Sequence, residues 1–223
     1  MFLEGYISHS NPKYNDALRS AQSGAAIAVS ANSVLAVQQM SDRSYRVYLG
    51  IKAPRSSVQP GGELDPAKTE ESREVLLNKY YKDFAPELRD YIQAAEGPFR
   101  PWTLNRLNPD SFAPESAAWK HVPGVVLIGD AAHLTTPNGE GASEAMYDAL
   151  RLFDKIRPVL EESDDMLDKA ILEYEAESKP RSRQYIQRGI DLEDAMYSET
   201  AVQNLRQMGE NDVSKKRTEA STQ

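Results

Sequence analysis

Residues 125–150 read VVLIGDAAHLTTPNGEGASEAMYDAL. Four apolar residues, Val125 to Ile128, stand between turn signals and end in Gly129-Asp130. A short polar loop with two glycines follows. From Ser143 the apolar positions Met146, Ala149, Leu150, Phe153 and Ile156 recur at three and four. The order is strand, loop, helix. A short apolar run of this kind has the form of a strand buried on both faces, as in a parallel sheet covered by helices. The helix is expected to pack on that strand through Met146, Ala149, Leu150 and Phe153. In open α/β folds ligands bind beyond the carboxyl ends of such strands. Gly129 has no Cβ and lets a ligand come close to the backbone. Asp130 can accept hydrogen bonds from sugar or polyol hydroxyls. Gly139 and Gly141 bracket Glu140 at the helix start, where unpaired N–H groups and the helix dipole favour an anionic or electron-rich atom. The same pattern also serves as a plain turn and cap. The residues alone leave both readings open.

Upstream, three strands are expected at Ala25–Ser30, Val34–Gln39 and Tyr45–Ile51, with turns at Ala31-Asn32-Ser33 and Ser41-Asp42-Arg43. Close turns make this an antiparallel meander. Arg46, Tyr48 and Gly50 alternate with Val47, Leu49 and Ile51, as a strand with one buried face requires. Pro54 to Pro66 is a loop broken by Pro60-Gly61-Gly62. Two helices follow at about 67–95, the second opened by Pro86 in the first turn and stopped by Gly97-Pro98. Residues 99–107, FRPWTLNRL, suit an edge strand because of Pro101. Residues 109–123 are expected to be mostly loop, and 164–208 one or two polar helices. The tail 209–223 is expected to fray.

Composition narrows the function. The chain has 223 residues, 40% of them hydrophobic, enough for a real core. A net charge of −8 argues against a protein that grips a nucleic-acid backbone. With no cysteine there is no disulfide, thiolate metal site or thiol nucleophile. No metal site is expected, and the catalytic residues are left unassigned. No apolar run approaches the roughly 20 residues of a membrane span, and the N-terminus lacks a signal-peptide pattern. The expected location is cytoplasmic.

Gly129-Asp130-Ala131-Ala132-His133, then Pro137, then Gly139-Glu140-Gly141-Ala142-Ser143, then Ala145-Met146 and Asp148-Ala149-Leu150 resemble the second FAD-binding motif of class A FAD-dependent monooxygenases, the aromatic hydroxylases and tetracycline-inactivating enzymes. Tyr174-Glu175 with Pro180-Arg181 is similar to that family's C-terminal helix, and the strands before residue 51 and the Trp102 region to the second half of its substrate sheet. The resemblance implies an α/β (mixed α+β) fold, corresponding to the C-terminal portion of such an enzyme only. The parts would be a partial substrate-binding domain at 1–108, a piece of the FAD-binding domain with terminal helices at 109–208, and the tail. It implies FAD as cofactor and NADPH as reductant. Asp130 would contact the ribityl and pyrophosphate part, and Gly139, Gly141, Ala142 and Ser143 would offer backbone to the flavin. His133 would be structural. Tyr48 and Trp102 would border a pocket for an apolar, aromatic small molecule. A helical or solvent-exposed Val125–Ile128 would make the family assignment wrong.

The chain departs from the pattern in two ways. Gly-x-Gly-x-x-Gly and Asp-Gly occur nowhere in it, and only Asn138 separates Pro137 from Gly139 where the family usually has two residues. A residue's loss moves a helix start by a few ångströms. Three readings follow: a C-terminal portion of a flavin monooxygenase, either a fragment of a longer protein or half of a split enzyme completed by a partner chain or a second copy; a homologue that works without FAD in cyclisation or isomerisation; or a non-catalytic partner protein. FAD binding by the isolated chain is expected to be weak or lost, and whether that chain is itself an enzyme is left open.

Overall fold

The computed structural model describes residues 1–113 and 119–208. Contacts divide the chain into two compact units: residues 1–104 with those from 194 onward, and Asn105–Glu193.

The first unit is built on one antiparallel sheet. Its strands are β1 (Phe2–Ile7), β2 (Ala25–Ser30), β3 (Ser33–Gln39), β4 (Tyr45–Ile51) and β5 (Glu96–Trp102), in the order β2-β3-β4-β1-β5. The expected meander is present as β2-β3-β4. Its first turn is tighter than expected: Ser30 pairs with Ser33, and Asn32 turns the chain at φ 59°. Asparagine tolerates that left-handed backbone better than most residues. Val47, Leu49 and Ile51 are fully buried, so the period of two did mark the core face.

β1 lies between β4 and β5 and carries a second alternation, with Leu3, Gly5 and Ile7 inward and Phe2, Glu4 and Tyr6 outward. Neither β1 nor helix α1 (Tyr14–Ala21) was expected from the sequence. Aromatic residues on the outer face of β1 blur its contrast, and α1 is only eight residues long. Glycine is required at position 5, because a Cβ there would stand 2.8 Å from the Ala95 Cβ where β5 crosses.

The buried face is covered by α1, α2 (Thr69–Val75), the wider turn Leu76–Tyr80 and α3 (Pro86–Ala94). Pro86 occupies the first turn of α3, as expected. Two buried polar groups cross this core. Arg73 donates to the carbonyls of Ile92 and Ala95 at the end of α3, and Tyr81 donates to Val34 O at 2.9 Å and Gly50 O at 3.1 Å. Arg73 satisfies carbonyls that end α3 and would otherwise be buried unpaired, and the two carbonyls give the buried Tyr81 hydroxyl its acceptors. β5 is an edge strand, but at 96–102 rather than 99–107.

The second unit carries α4 (Asp130–His133), α5 (Gly141–Ile156) and most of α6 (Asp164–Met196); residues 201–208 form a further helical stretch in the first unit. Here the sequence reading needs two corrections. Val125–Ile128 is not a buried strand. It makes one isolated bridge, Val122 with Val125, and Val125, Leu127 and Ile128 are 51%, 37% and 39% exposed. A strand needs a neighbour for its backbone, and the described residues place none beside it. Nor does α5 pack through its apolar stripe. Met146, Leu150 and Phe153 are exposed, and the one buried residue of α5 is Asp148. The face of α5 turned to α6 is ionic, joined by Arg151–Glu177 at 2.7 Å, Glu144–Arg188 at 2.9 Å and Asp148–Arg181 at 2.5 Å. The tail 209–223 lies outside the described residues.

Candidate functional site

Gly129 begins the site. Its φ of 57° is left-handed, a conformation that suits glycine, and a Cβ would meet the Ala145 Cβ at 3.3 Å. The chain therefore turns tightly into α4 while staying against α5. Asp130 follows as the first residue of α4, exposed, with no hydrogen bond or ion pair among the described residues. It stands at the tip of an exposed segment rather than at the end of a buried strand.

The start of α5 is open. Gly139 has φ 85° and nothing within 4 Å of the place a Cβ would take. The amides of Gly141, Ala142 and Ser143 precede the first helical bond of α5, Glu144 N to Glu140 O, and find no acceptor among the described residues. Three free N–H groups at the positive end of a 16-residue helix suit an electron-rich ligand atom. Asn138 Oδ1 accepts from Glu140 N at 3.0 Å and from the Tyr185 hydroxyl at 3.2 Å, which leaves its buried Nδ2 without a partner. Tyr185 ties the two parts together. Burial pushes its hydroxyl pKa up, and the negative charges of Asp130, Glu140 and Glu144 add to the rise. Tyr185 thus hydrogen-bonds the loop through Asn138, and the charge of Asp130 acts on the same hydroxyl.

Beneath them lies a network centred on Asp148. Its Oδ2 accepts from Gly129 N at 2.9 Å and stands 2.7 Å from His133 Nε2, while Oδ1 takes Arg181 at 2.5 Å. Asp148 is fully buried and His133 nearly so. Burial disfavours the Asp148 carboxylate, but the hydrogen bonds from His133, Gly129 and Arg181 outweigh it and bring its pKa down to about 2. The motif residues Gly129, His133, Asp148 and Arg181 are therefore one bracing unit, which fixes the loop that carries Asp130. Spacing alone did not show that the second aspartate of the motif supports its first glycine.

Tyr48 and Trp102 lie in the other unit. Both are on the sheet face away from the core: Glu4 pairs with Tyr48, Phe2 pairs with Trp102, and the Trp102 indole donates to Glu4 at 2.7 Å. The Phe2 and Tyr48 rings meet edge to face at 6.2 Å. Among the described residues no acidic or histidine cluster could hold a metal ion, and no helix is long and apolar enough to cross a membrane.

Comparison with known proteins bears on the same segment. Residues 111–189 match the family model described as FAD binding domain. The FAD-dependent urate hydroxylase of Klebsiella pneumoniae is 34% identical over 126 residues, 54% of this chain and 30% of that protein. Monooxygenase penA of Penicillium thymicola is 29% identical over 133 residues, 53% of this chain and 30% of its own length. The Klebsiella pneumoniae HpxO structure complexed with FAD and uric acid aligns at TM-score 0.65 and 21% identity, covering 94% of this chain and 47% of that one. FqzB aligns at TM-score 0.59 and 16% identity, covering 92% and 47%. The fold is that of the FAD-dependent monooxygenases. FAD is the cofactor named by the family model, by the urate hydroxylase and by the HpxO complex. The chain spans about half the length of the solved relatives and 30% of the curated ones. One expectation is overturned here. The likeness is not confined to a C-terminal portion, because the structural matches run over 89–94% of this chain. The exposed Val125–Ile128 does not remove the resemblance either, since the family match spans that segment.

Proposed function

We propose that this chain supplies part of the FAD site of a flavoprotein monooxygenase acting on an apolar or aromatic small molecule, with NADPH as reductant. One observation carries the reading. An unpaired, exposed Asp130 carboxylate and three free amides at the start of α5 flank one buried network, in which Asp148 of α5 holds Gly129 and His133. Asp130 is the acceptor for polyol hydroxyls. The Gly139, Gly141, Ala142 and Ser143 backbone receives an electron-rich edge of the flavin, and the orphaned Asn138 Nδ2 adds a donor beside it. When bound, FAD supplies the redox and oxygen chemistry. The residues of this chain bind and orient it, and the Asp148 network keeps their geometry. The relatives' activities, urate hydroxylation among them, favour a planar substrate. Tyr48 and Trp102, on one aromatic face of the first unit, are the residues assigned to it.

The test is a flavin titration of the chain, alone and with candidate completing chains or at concentrations that favour self-association, followed by fluorescence quenching. Asp130→Ala is expected to abolish whatever FAD binding the parent shows. FAD binding unchanged in Asp130→Ala would overturn the assignment, and turnover of a substrate by the colourless protein without NADPH would replace it with non-redox chemistry.

A further inference from the structure

The second unit holds another histidine, away from the Asp130 loop, with an unusual set of partners. His121 places Nε2 3.1 Å from Asp168 Oδ2 and 3.2 Å from Oδ1, and Nδ1 3.3 Å from Glu175 Oε2. Both carboxylates belong to α6. A neutral imidazole has one N–H, so one of these contacts would set a lone pair against a carboxylate; the imidazolium donates to both. The ring is mostly enclosed, at 18% exposure, and Glu175 is 3% exposed, so water does not easily take over either contact.

The same two carboxylates hold the rest of the segment. Gly124 N donates to Asp168 Oδ1 at 3.1 Å. Lys179 Nζ reaches Glu175 Oε2 at 3.2 Å and the Trp119 carbonyl at 3.5 Å, and lies 5.3 Å from the centre of the Trp119 ring. The charged groups around the imidazole are thus Asp168, Glu175 and Lys179 from α6, with Lys120 next to it in sequence. Beside them Phe112, Trp119, Val122, Val125 and Leu127 line an apolar groove of about 340 Å³, in which Glu175 is a polar wall.

We infer that His121 is a proton-dependent clamp: as imidazolium it pins residues 119–125 to α6, and on losing its proton it frees the segment that leads into Gly129-Asp130. The electrostatics agree in sign. The hydrogen bond to Asp168 is the largest effect and raises the His121 pKa above 6.5, against a smaller lowering by burial, while the Asp168 pKa is lowered by the same pair. A raised histidine pKa means that the clamp is at full strength below the ordinary histidine value and is lost as pH rises through the raised one. On the acid side it fails when Asp168 is protonated. The clamp is therefore closed over a window bounded by the lowered carboxylate and the raised histidine. Its consequence for flavin rests on the Asp130 assignment above; the clamp itself does not.

The experiment uses the full chain without flavin. The His121 ring signal is titrated by NMR while amide exchange is followed at Gly124 and Val125, whose N–H groups bond Asp168 and Val122 O. The expected midpoint lies above 6.5. Protection, corrected for the intrinsic pH dependence of exchange, should fall about tenfold for each unit of the His121 shift. Asp168→Asn should bring the midpoint back toward the free-histidine value. His121→Gln should leave low protection that no longer changes between pH 6 and 9. A midpoint at or below 6.5, or protection without a step at the His121 midpoint, overturns the clamp. A clear step in a chain whose FAD binding, measured with a completing chain present, is unchanged in Asp130→Ala would keep the clamp and remove the Asp130 assignment.

Discussion

At the scale of the residue, two aspartates of one motif do opposite work. Asp130 is exposed and unpaired, and Asp148 is buried with three partners. Asp130→Ala is expected to change stability by no more than about 0.5 kcal/mol, as surface changes away from caps and networks do, while removing flavin affinity; urea melts and FAD titration separate the two. Asp148→Ala should cost about 3 kcal/mol or more, because the buried Gly129 amide and His133 would be left without their acceptor, and a shifted urea midpoint reads that loss. The pH dependence has a definite sign. The folded Asp148 pKa is lowered to about 2, so its contribution is complete above pH 4 and is lost as pH falls through 2. Its size is on the order of 2 kcal/mol from the shift, and acid titration of the parent against Asp148→Asn measures it. The sequence marked both residues as members of a motif. The resemblance assigned Asp130 to the ligand, but it did not show that Asp148 is a buried brace, because that depends on what α6 brings to Asp148.

At the scale of the element, legibility followed the partner. β2, β3 and β4 were readable because each buries one face against a core made within its own unit, and the period of two records that burial. β1 was not readable, since Phe2 and Tyr6 make its outer face nearly as apolar as its inner one. Val125–Ile128 and the apolar stripe of α5 were read as mutually buried, yet both are exposed and the ionic face of α5 is the packed one. Periodicity reports which face is apolar and not what lies against it. Replacing both Met146 and Leu150 by Gln should therefore leave stability within about 0.5 kcal/mol and lower the binding of an apolar dye such as ANS, whereas Leu49→Ala in the core should cost about 2–5 kcal/mol. A large loss in the double variant would show that the stripe is buried in solution. The α6 helix meets the Thr135 loop at Gly189, where a Cβ would come within 2.0 Å of the Thr135 hydroxyl. Gly189→Ala is expected to destabilise by about 1 kcal/mol net, crowding of 1–3 kcal/mol outweighing the gain in helix propensity, and thermal melts will show the sign.

At the scale of the whole molecule, the question is how much of a flavin site 223 residues can make. FAD carries two phosphates, and tight dinucleotide binding commonly sets them on a helix N-terminus behind a Gly-x-Gly-x-x-Gly turn, a sequence that does not occur in this chain. What it offers is one free carboxylate, three free amides and an orphaned amide donor. A net hydrogen bond in water is worth about 1 kcal/mol, and ordering the ligand opposes the sum. The isolated chain is therefore expected to bind FAD more weakly than micromolar, less favourably than about −8 kcal/mol, and to show no NADPH oxidation. Raising salt should weaken that residual binding little, because neither phosphate has a cationic or helix-dipole anchor among the residues assigned to the site. Fluorescence titration at two ionic strengths decides it. Stoichiometric FAD uptake at submicromolar concentration by this chain alone would mean that the phosphates are held elsewhere in it, and that the Asp130 loop is not the main anchor of the cofactor.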